Sequence, residues 1–263
     1  MKNILEEIVA KRKKTVAHLK NILPVETWEM MPFYKRSCLS LKKNLLNEGL
    51  TGIIAEFKRA SPSKGIIHAD ADIFDVALDY EMNGAAAVSV LTEPVYFKGN
   101  SDDLMGIRAG MKIPLLRKDF IFDEYQIAES KAIGADVILL IAACLTVAEV
   151  KRLATFANNI GLEVLLELHD EAELEHICNA TTLIGINNRN LKTFEVDIER
   201  SLRMAEQIPA DKIKIAESGI SNIETIQLFK NAGFKGFLMG ENFMKAENPG
   251  EAFKQFVKTL KTK

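Results

Sequence analysis

Eight short runs of apolar and β-branched residues recur along this chain, separated by stretches of a different period. The runs are IIAEF from Ile53, AAVSVL from Ala86, IPLLR from Ile113, DVILLI from Asp136, EVLLEL from Glu163, TLIGIN from Thr182, KIKIAE from Lys212 and GFLMG from Gly236. Runs this continuously apolar suit strands buried on both faces, as in a parallel sheet covered by helices. Between them, FDVALDYEMNG from Phe74, DEYQIAESKAIG from Asp123, TVAEVKRLATFANNIG from Thr146, EAELEHICN from Glu171 and NIETIQLFKNAG from Asn222 have helical periodicity. Several end in Gly, which readily takes the left-handed conformation that stops a helix. Eight β-then-α units predict an α/β chain closed into a (β/α)8 TIM barrel. An open doubly wound sheet usually carries a GxGxxG loop after its first strand, and none is present.

The first strand begins only after residue 50. ILEEIVAKRKKTVAHLKN places Ile4, Leu5, Ile8, Val9, Val16 and Leu19 on one helical stripe, and the region from Pro32 to Leu46 is partly helical. Residues 1–50 are too few to own a core, so one domain spanning 1–263 with an N-terminal helical extension is expected. A barrel closes without such an extension, and its own helices cover its sides. The open rim is where extra cover has a use, so the extension is expected to pack beside the rim and help hold a ligand. Deleting residues 1–45 is then expected to leave a folded barrel with poorer affinity. The run from Lys11 to Lys14 reads as the solvated face of that helix.

Composition narrows the function classes. At 48% hydrophobic residues the chain can fill a large core, and a net charge of −2 with 27% charged residues calls for no polyanionic partner. Neither nucleic acid, nor a membrane, nor an obligatory protein partner is expected. Cys38, Cys144 and Cys178 are odd in number and far apart, which suits reduced thiols in a cytoplasmic protein better than disulfides or a zinc site.

In this architecture chemistry collects at the C-terminal ends of the strands. Strand 1 ends in Glu56 and Lys58, two residues apart and so on the same side. Strand 3 runs into Arg117-Lys118-Asp119-Phe120, strand 5 gives Glu167 and His169, strand 6 gives Asn187-Asn188-Arg189, strand 7 Glu217-Ser218-Gly219 and strand 8 Gly240-Glu241. Burying unpaired charge is expensive, so a ring of charges on one rim implies a polar pocket that uses them. The loops after strands 7 and 8 are the usual phosphate site of such barrels, and ENFM from Glu241 can supply the short helix that completes it. Ser61, Ser63 and Lys64 after strand 1 can close over the same anion.

The motifs IIAEFKRASPSKG, SVLTE…YFKG, LLRKDFI, LLELHDE, IGINNRNLKTFEVD, IAESGI and FLMGENFM, in this order and over nearly the whole chain, resemble the indole-3-glycerol phosphate synthase family of tryptophan biosynthesis. The resemblance implies a cofactor-free and metal-free lyase that closes, decarboxylates and dehydrates 1-(2-carboxyphenylamino)-1-deoxyribulose 5-phosphate. It implies Lys118 as general acid, Glu167 as base, Lys58 as partner of the substrate carboxylate, Glu56 as partner of Lys58 and of substrate hydroxyls, and Asn187 at the reacting hydroxyl. It further implies Phe120 as an aromatic wall, Arg189 and Glu217 as members of the polar ring, and Ser61, Ser218, Gly219, Gly240 and Glu241 around the phosphate. His169 is expected to support from behind rather than transfer protons. The rivals are another phosphate-binding barrel, such as phosphoribosylanthranilate isomerase or a thiazole- or pyridoxal-pathway enzyme, and a barrel that binds without catalysing.

Overall fold

A computed structural model of the chain describes residues 4–190 and 195–262. Among the described residues, eight parallel strands close a barrel in sequence order. They are β1 (Ile53–Phe57), β2 (Ala87–Leu91), β3 (Leu115–Lys118), β4 (Val137–Ile141), β5 (Glu163–Leu168), β6 (Leu183–Asn187), β7 (Ile213–Glu217) and β8 (Phe234–Met239). Closure is made where β1 pairs with both β2 and β8. Each predicted strand is present within a residue or two. The β1 loop adds a small antiparallel hairpin, Ala60–Ser61 against Gly65–Ile66, that the apolar pattern did not announce.

Period-two alternation divides each strand between two cores. Ile54, Leu116, Leu139, Leu165, Ile215 and Leu238 fill the barrel interior. Residues on the other face, among them Ile53, Val88, Leu115, Ile138 and Leu140, pack against the surrounding helices. That outer shell includes α4 (Ile73–Met82), α5 (Ser101–Arg108), α6 (Glu124–Ala132), α7 (Val147–Asn159), α8 (Ile198–Gln207), α9 (Ile223–Asn231) and α11 (Pro249–Thr262), with the one-turn α10 (Glu241–Met244) directly after β8. Local sequence sets their starts. Asp72, Asn100, Asp123, Asp197 and Asn222 each accept a backbone N–H of the first turn, and Thr146 with Glu149 forms a reciprocal capping box.

EAELEHICN departs from expectation: Glu171–His176 is a 3-10 segment. The His176 ring is buried, with its nitrogens 3.1 Å from the Glu173 carbonyl and 3.0 Å from the Leu145 carbonyl. Anchoring that ring inside the shell ends the segment before an α-helix develops.

The extension serves both ends of the barrel. Its first helix, α1 (Ile4–Ile22), lies over the C-terminal rim, where Ile4, Leu5 and Ile8 face the cavity described below. After α2 (Val25–Glu29) the chain runs to the opposite end, and α3 (Leu41–Leu45) inserts Leu41 and Leu45 among the first residues of the strands. Ser40 caps α3 and donates to Glu163, Asn44 donates to the Ala86 carbonyl, and the Leu39 N–H donates to Asp136. The basic run is not uniformly solvated. Lys11, Lys13 and Lys14 are exposed, but Arg12 is buried, because Leu5, Ile8, Arg12 and Val16 form the inward stripe and Arg12 finds a carboxylate beneath it.

Candidate active site

A cavity of about 350 Å³ opens at the C-terminal ends of the strands. Its wall contains these residues singled out in the sequence: Glu56, Lys58, Ser61, Lys118, Phe120, Glu167, Asn187, Arg189, Glu217, Ser218, Gly219, Gly240 and Glu241. His169 is not part of the wall. Within IGINNRNLKTFEVD, Leu191–Phe194 lie outside the described residues.

Glu56, Lys118, Glu167 and Glu217 come from β1, β3, β5 and β7, the alternate strands that supply one layer of side chains in such a barrel. Lys118 is the hub. Its Nζ donates to Glu167 Oε2 and to Glu217 Oε2, both at 3.1 Å. Glu56 holds the second lysine, with Lys58 Nζ 2.7 Å from its Oε1. Asn187 donates from Nδ2 to Glu167 Oε1 at 3.0 Å, while its Oδ1 accepts the Arg189 N–H, which fixes the amide orientation. His169 stands behind Glu167. Its Nε2 is 2.9 Å from Glu167 Oε1, an ion-pair contact off the line of a good hydrogen bond, and its Nδ1 is 3.7 Å from Glu173 Oε2.

Burial works against every charge in this cluster, and the neighbours decide which charges survive. For Lys118, burial opposes the ammonium but Glu167 and Glu217 outweigh it, so its pKa rises above the ordinary lysine value. For Glu167, burial is outweighed by Lys118, with help from His169 and Asn187, and the carboxyl stays well below its usual range. His169 loses by burial and gains more from Glu167 and Glu173, which lift it to about 9. Glu217 goes the other way: burial dominates, Lys118 compensates only in part, Glu167 repels, and the carboxyl is pushed up to about 7. The two carboxyl groups on one lysine are thus shifted in opposite directions, the arrangement that separates a base from an acid.

The loops after β7 and β8 line one side of the cavity. Ser218 and Gly219 both have positive φ, 65° and 70°, turning the β7 loop sharply at the rim. A Cβ on residue 219 would stand 2.4 Å from Val196 Cγ1, so only glycine fits that turn. Gly240 precedes α10, and Gly240, Glu241 and Asn242 also line the cavity. Lys64 and Arg189 lie 3.9 Å from the two oxygens of Glu241, and Lys245 also lines the wall, so cations border this end. The opposite end is apolar, with Phe97 and Phe120 at 6.2 Å between ring centroids beside Leu5 and Ile8. A molecule with an aromatic carboxylate at one end and a phosphate at the other matches that polarity. Among the described residues no group of three or more His, Cys, Asp or Glu side chains is set to hold a metal ion.

Two residues at the site escaped the sequence reading. Phe97 lay within the quoted YFKG, whose adjacent pair of aromatics, Tyr96 and Phe97, was the available signal. Arg12 was masked by its lysine neighbours, although its spacing of four from both Ile8 and Val16 set it on the buried stripe.

The fold and the sequence have parallels among known proteins. Solved barrels share the fold: 3-hexulose-6-phosphate synthase from Salmonella typhimurium (TM-score 0.63, 12% identity, 80% of this chain and 98% of that one) and a tryptophan synthase alpha-subunit variant from Pyrococcus furiosus (TM-score 0.60, 17% identity, 80% and 98%). At the sequence level, an indole-3-glycerol phosphate synthase of Bacteroides thetaiotaomicron is 44% identical over 99% of this chain and 100% of its own length. One from Aliarcobacter butzleri is 45% identical over 98% and 99%. The family model for indole-3-glycerol phosphate synthase matches residues 5–256. Nearly the whole chain is covered in each case, the extension included: the chain belongs to the indole-3-glycerol phosphate synthase family.

Proposed function

We propose that the chain converts 1-(2-carboxyphenylamino)-1-deoxyribulose 5-phosphate to indole-3-glycerol phosphate, carbon dioxide and water, with Lys118 as the acid of ring closure. The carrying observation is the Lys118 ammonium held between Glu167 and Glu217 at 3.1 Å on each side, at the centre of a cavity with an aromatic end and an anion-binding end. The substrate is a phosphorylated small molecule, and no protein partner enters the chemistry. Among the described residues no helix is long and apolar enough to cross a membrane, and the three cysteines are free thiols, which fits an enzyme of the cytoplasm.

The ring carbon bearing the carboxylate attacks the ribulose carbonyl, and negative charge develops on the carbonyl oxygen. An ammonium aimed at that oxygen stabilises the charge and delivers a proton. Lys118 suits this role, since its carboxylate neighbours keep it loaded at neutral pH. The substrate carboxylate, held by Lys58, then leaves as carbon dioxide and its electron pair restores the aromatic ring. Dehydration follows: the new hydroxyl departs with a second proton, while a base removes one proton from the substrate. Glu167, kept ionised, is that base, and Asn187 beside it holds the departing hydroxyl. Glu56 fixes Lys58 and meets the sugar hydroxyls; Ser61, Ser218, Gly219, Gly240 and the start of α10 at Glu241 receive the phosphate, with Arg189 adding charge. Phe120 stacks against the aromatic ring.

Incubating the purified protein with this substrate and following indole fluorescence tests the assignment. Folded protein that produces no indole signal would sink it.

A further inference from the structure

Resting on the synthase activity proposed above, the reaction has a proton balance that Lys118 alone does not meet. One proton goes to the alkoxide at ring closure and another to the departing hydroxyl, whereas one returns from the substrate to Glu167. The site therefore delivers two protons for each one it accepts, and a second donor is required.

Glu217 is the carboxyl placed to be that donor. It is 1% exposed, and among the described residues only its Oε2 has a partner, Lys118. Its Oε1 is buried without a hydrogen-bond partner among the described residues. That oxygen lies over Gly185 of β6, where an added Cβ would stand 2.1 Å away, so the barrel interior keeps this space free for the carboxyl group. Among the described residues, the surrounding charges leave Glu217 without a cation of its own. Glu56 on β1 has Lys58, and Glu167 on β5 has His169 as well as a share of Lys118 on β3. On the neighbouring strand β6 the facing side chain is the uncharged Asn187, and on β8 the rim offers Leu238 and Gly240. An ionised Glu217 would be a dry carboxylate with half of one lysine and two repelling carboxylates nearby.

We propose that Glu217 holds a proton in the resting site and recharges Lys118 through their 3.1 Å contact, so that the pair works as a relay supplying both protons through one ammonium. In bond terms, Lys118 N–H breaks as the substrate O–H forms. The Glu217 carboxyl, whose proton sits on Oε1 while Oε2 accepts from Lys118, then turns that O–H toward Nζ, and it breaks as the Lys118 N–H is restored. After the second donation, the proton that Glu167 took from the substrate passes to Lys118 through their 3.1 Å contact. Glu217, left as a carboxylate, regains its proton from solvent, matching the one proton consumed overall when a carboxylate substrate loses carbon dioxide. The carboxyl group of Glu217, held near neutrality at about 7, is suited to both halves of that cycle.

Infrared difference spectra of the ligand-free protein across the neutral range test the resting state. The wild type should show the carbonyl stretch of a protonated carboxylic acid that fades with a midpoint of about 7, and Glu217→Gln should lack it. The second arm is the pH dependence of kcat. Wild-type turnover should fall as pH rises through this group's titration, which the anionic substrate moves upward. Glu217→Gln should lose that limb and about 10²-fold or more in kcat with little change in KM, and Glu217→Asp should retain a limb. If Glu217→Gln does not fold, glutamate-specific carbon-13 labelling of the wild type assigns the band, and Glu217→Asp carries the kinetic arm. Absence of the band overturns the proton store even in an active enzyme. A limb unchanged in Glu217→Gln but removed in Lys58→Met overturns the relay and gives the second donation to Lys58. Wild-type protein that makes no indole product removes the synthase assignment and the relay with it, while the band still reports where the resting proton sits.

Discussion

Arg12 of α1 and Asp119, the residue after Lys118, are joined by two hydrogen bonds, Nε to Oδ1 at 3.0 Å and Nη2 to Oδ2 at 2.6 Å. Both side chains are buried, and Asp119 also accepts from Thr92 and Arg117. Burial alone would raise the Asp119 carboxyl, but Arg117 and Arg12 together hold it below its ordinary value. The extension is thus clamped to the residue that follows Lys118, and the clamp sets Ile4, Leu5 and Ile8 over the cavity.

Arg12→Met should loosen that cover without unfolding the barrel, because Asp119 keeps Arg117 and Thr92. Removing one partner of a buried pair costs about 3–5 kcal/mol where nothing compensates; with two partners left, roughly 1–3 kcal/mol is expected. KM should rise by about tenfold, corresponding to about 1.4 kcal/mol of binding. Urea midpoints and steady-state kinetics on one preparation check both numbers. If stability and KM match the wild type, α1 is not held by this pair.

The two ends of the extension should separate under truncation. Removing residues 1–23 takes away α1 alone and should give a folded barrel with weakened substrate affinity. Removing residues 1–45 also extracts Leu41 and Leu45 from the barrel floor, together with the contact from Arg36 to Asp136. Two buried leucines are worth about 1.5–3 kcal/mol each, so this longer deletion should leave an unfolded or aggregating chain. That revises the expectation drawn from the apolar stripe alone, in which the longer deletion spared the fold. Circular dichroism and substrate titration on both truncations decide; a well-folded 1–45 deletion would show that α3 is dispensable as a plug.

Lys118→Met keeps most of the side-chain volume and removes the ammonium. Turnover should fall at least about 10²-fold, the lower end for a general acid. Glu167 and Glu217 would then face each other without their shared cation, so both carboxyl pKa values should rise. Near wild-type turnover, with chemistry shown to be the slow step, rejects the acid role.

Glu167→Gln is isosteric and keeps the contact with Asn187. Substrate affinity should hold within about threefold while turnover falls by about 10²-fold or more, and an undehydrated intermediate should accumulate in single-turnover experiments. The contrary pattern, lost affinity with preserved turnover, makes Glu167 a binding residue.

Much of this was legible beforehand because the barrel imposes period two on each strand and gathers the strand ends at one rim. IIAEF, EVLLEL and KIKIAE each put a glutamate at an inward position, so Glu56, Glu167 and Glu217 could be placed in one polar layer from spacing alone. The pairings within the layer were not legible. That Lys118 divides itself between Glu167 and Glu217, or that Gly185 leaves room under Glu217, depends on distances across the barrel between segments far apart in sequence. Arg12 was hidden for a similar reason. Its carboxylate partner lies 107 residues away, and a basic run has no local feature that singles out its buried member.

The pH dependence of stability offers a substrate-free check on the charge assignments. Glu217 has a pKa of about 7 in the folded protein against an ordinary value of 4.5, so between these values the folded state binds more protons than the unfolded state. Its contribution is therefore fully present below the unfolded value and is lost as pH rises through about 7. Glu167 is shifted the opposite way; its contribution is present above the ordinary glutamate value and lost as pH falls through its lowered folded value. Because Glu217→Gln retains Glu167, the Glu167 contribution largely cancels in a comparison with the wild type, provided measurements stay above about pH 5. The variant mimics the protonated carboxyl and cannot ionise. Its stability relative to the wild type should improve on going from about pH 5 to about pH 8, by up to roughly 3 kcal/mol, because each tenfold difference in proton affinity between folded and unfolded states is worth about 1.4 kcal/mol. Urea unfolding of both ligand-free proteins at the two pH values measures this difference. A constant offset across the range would mean that Glu217 is ionised throughout and that the barrel does not favour its acid form.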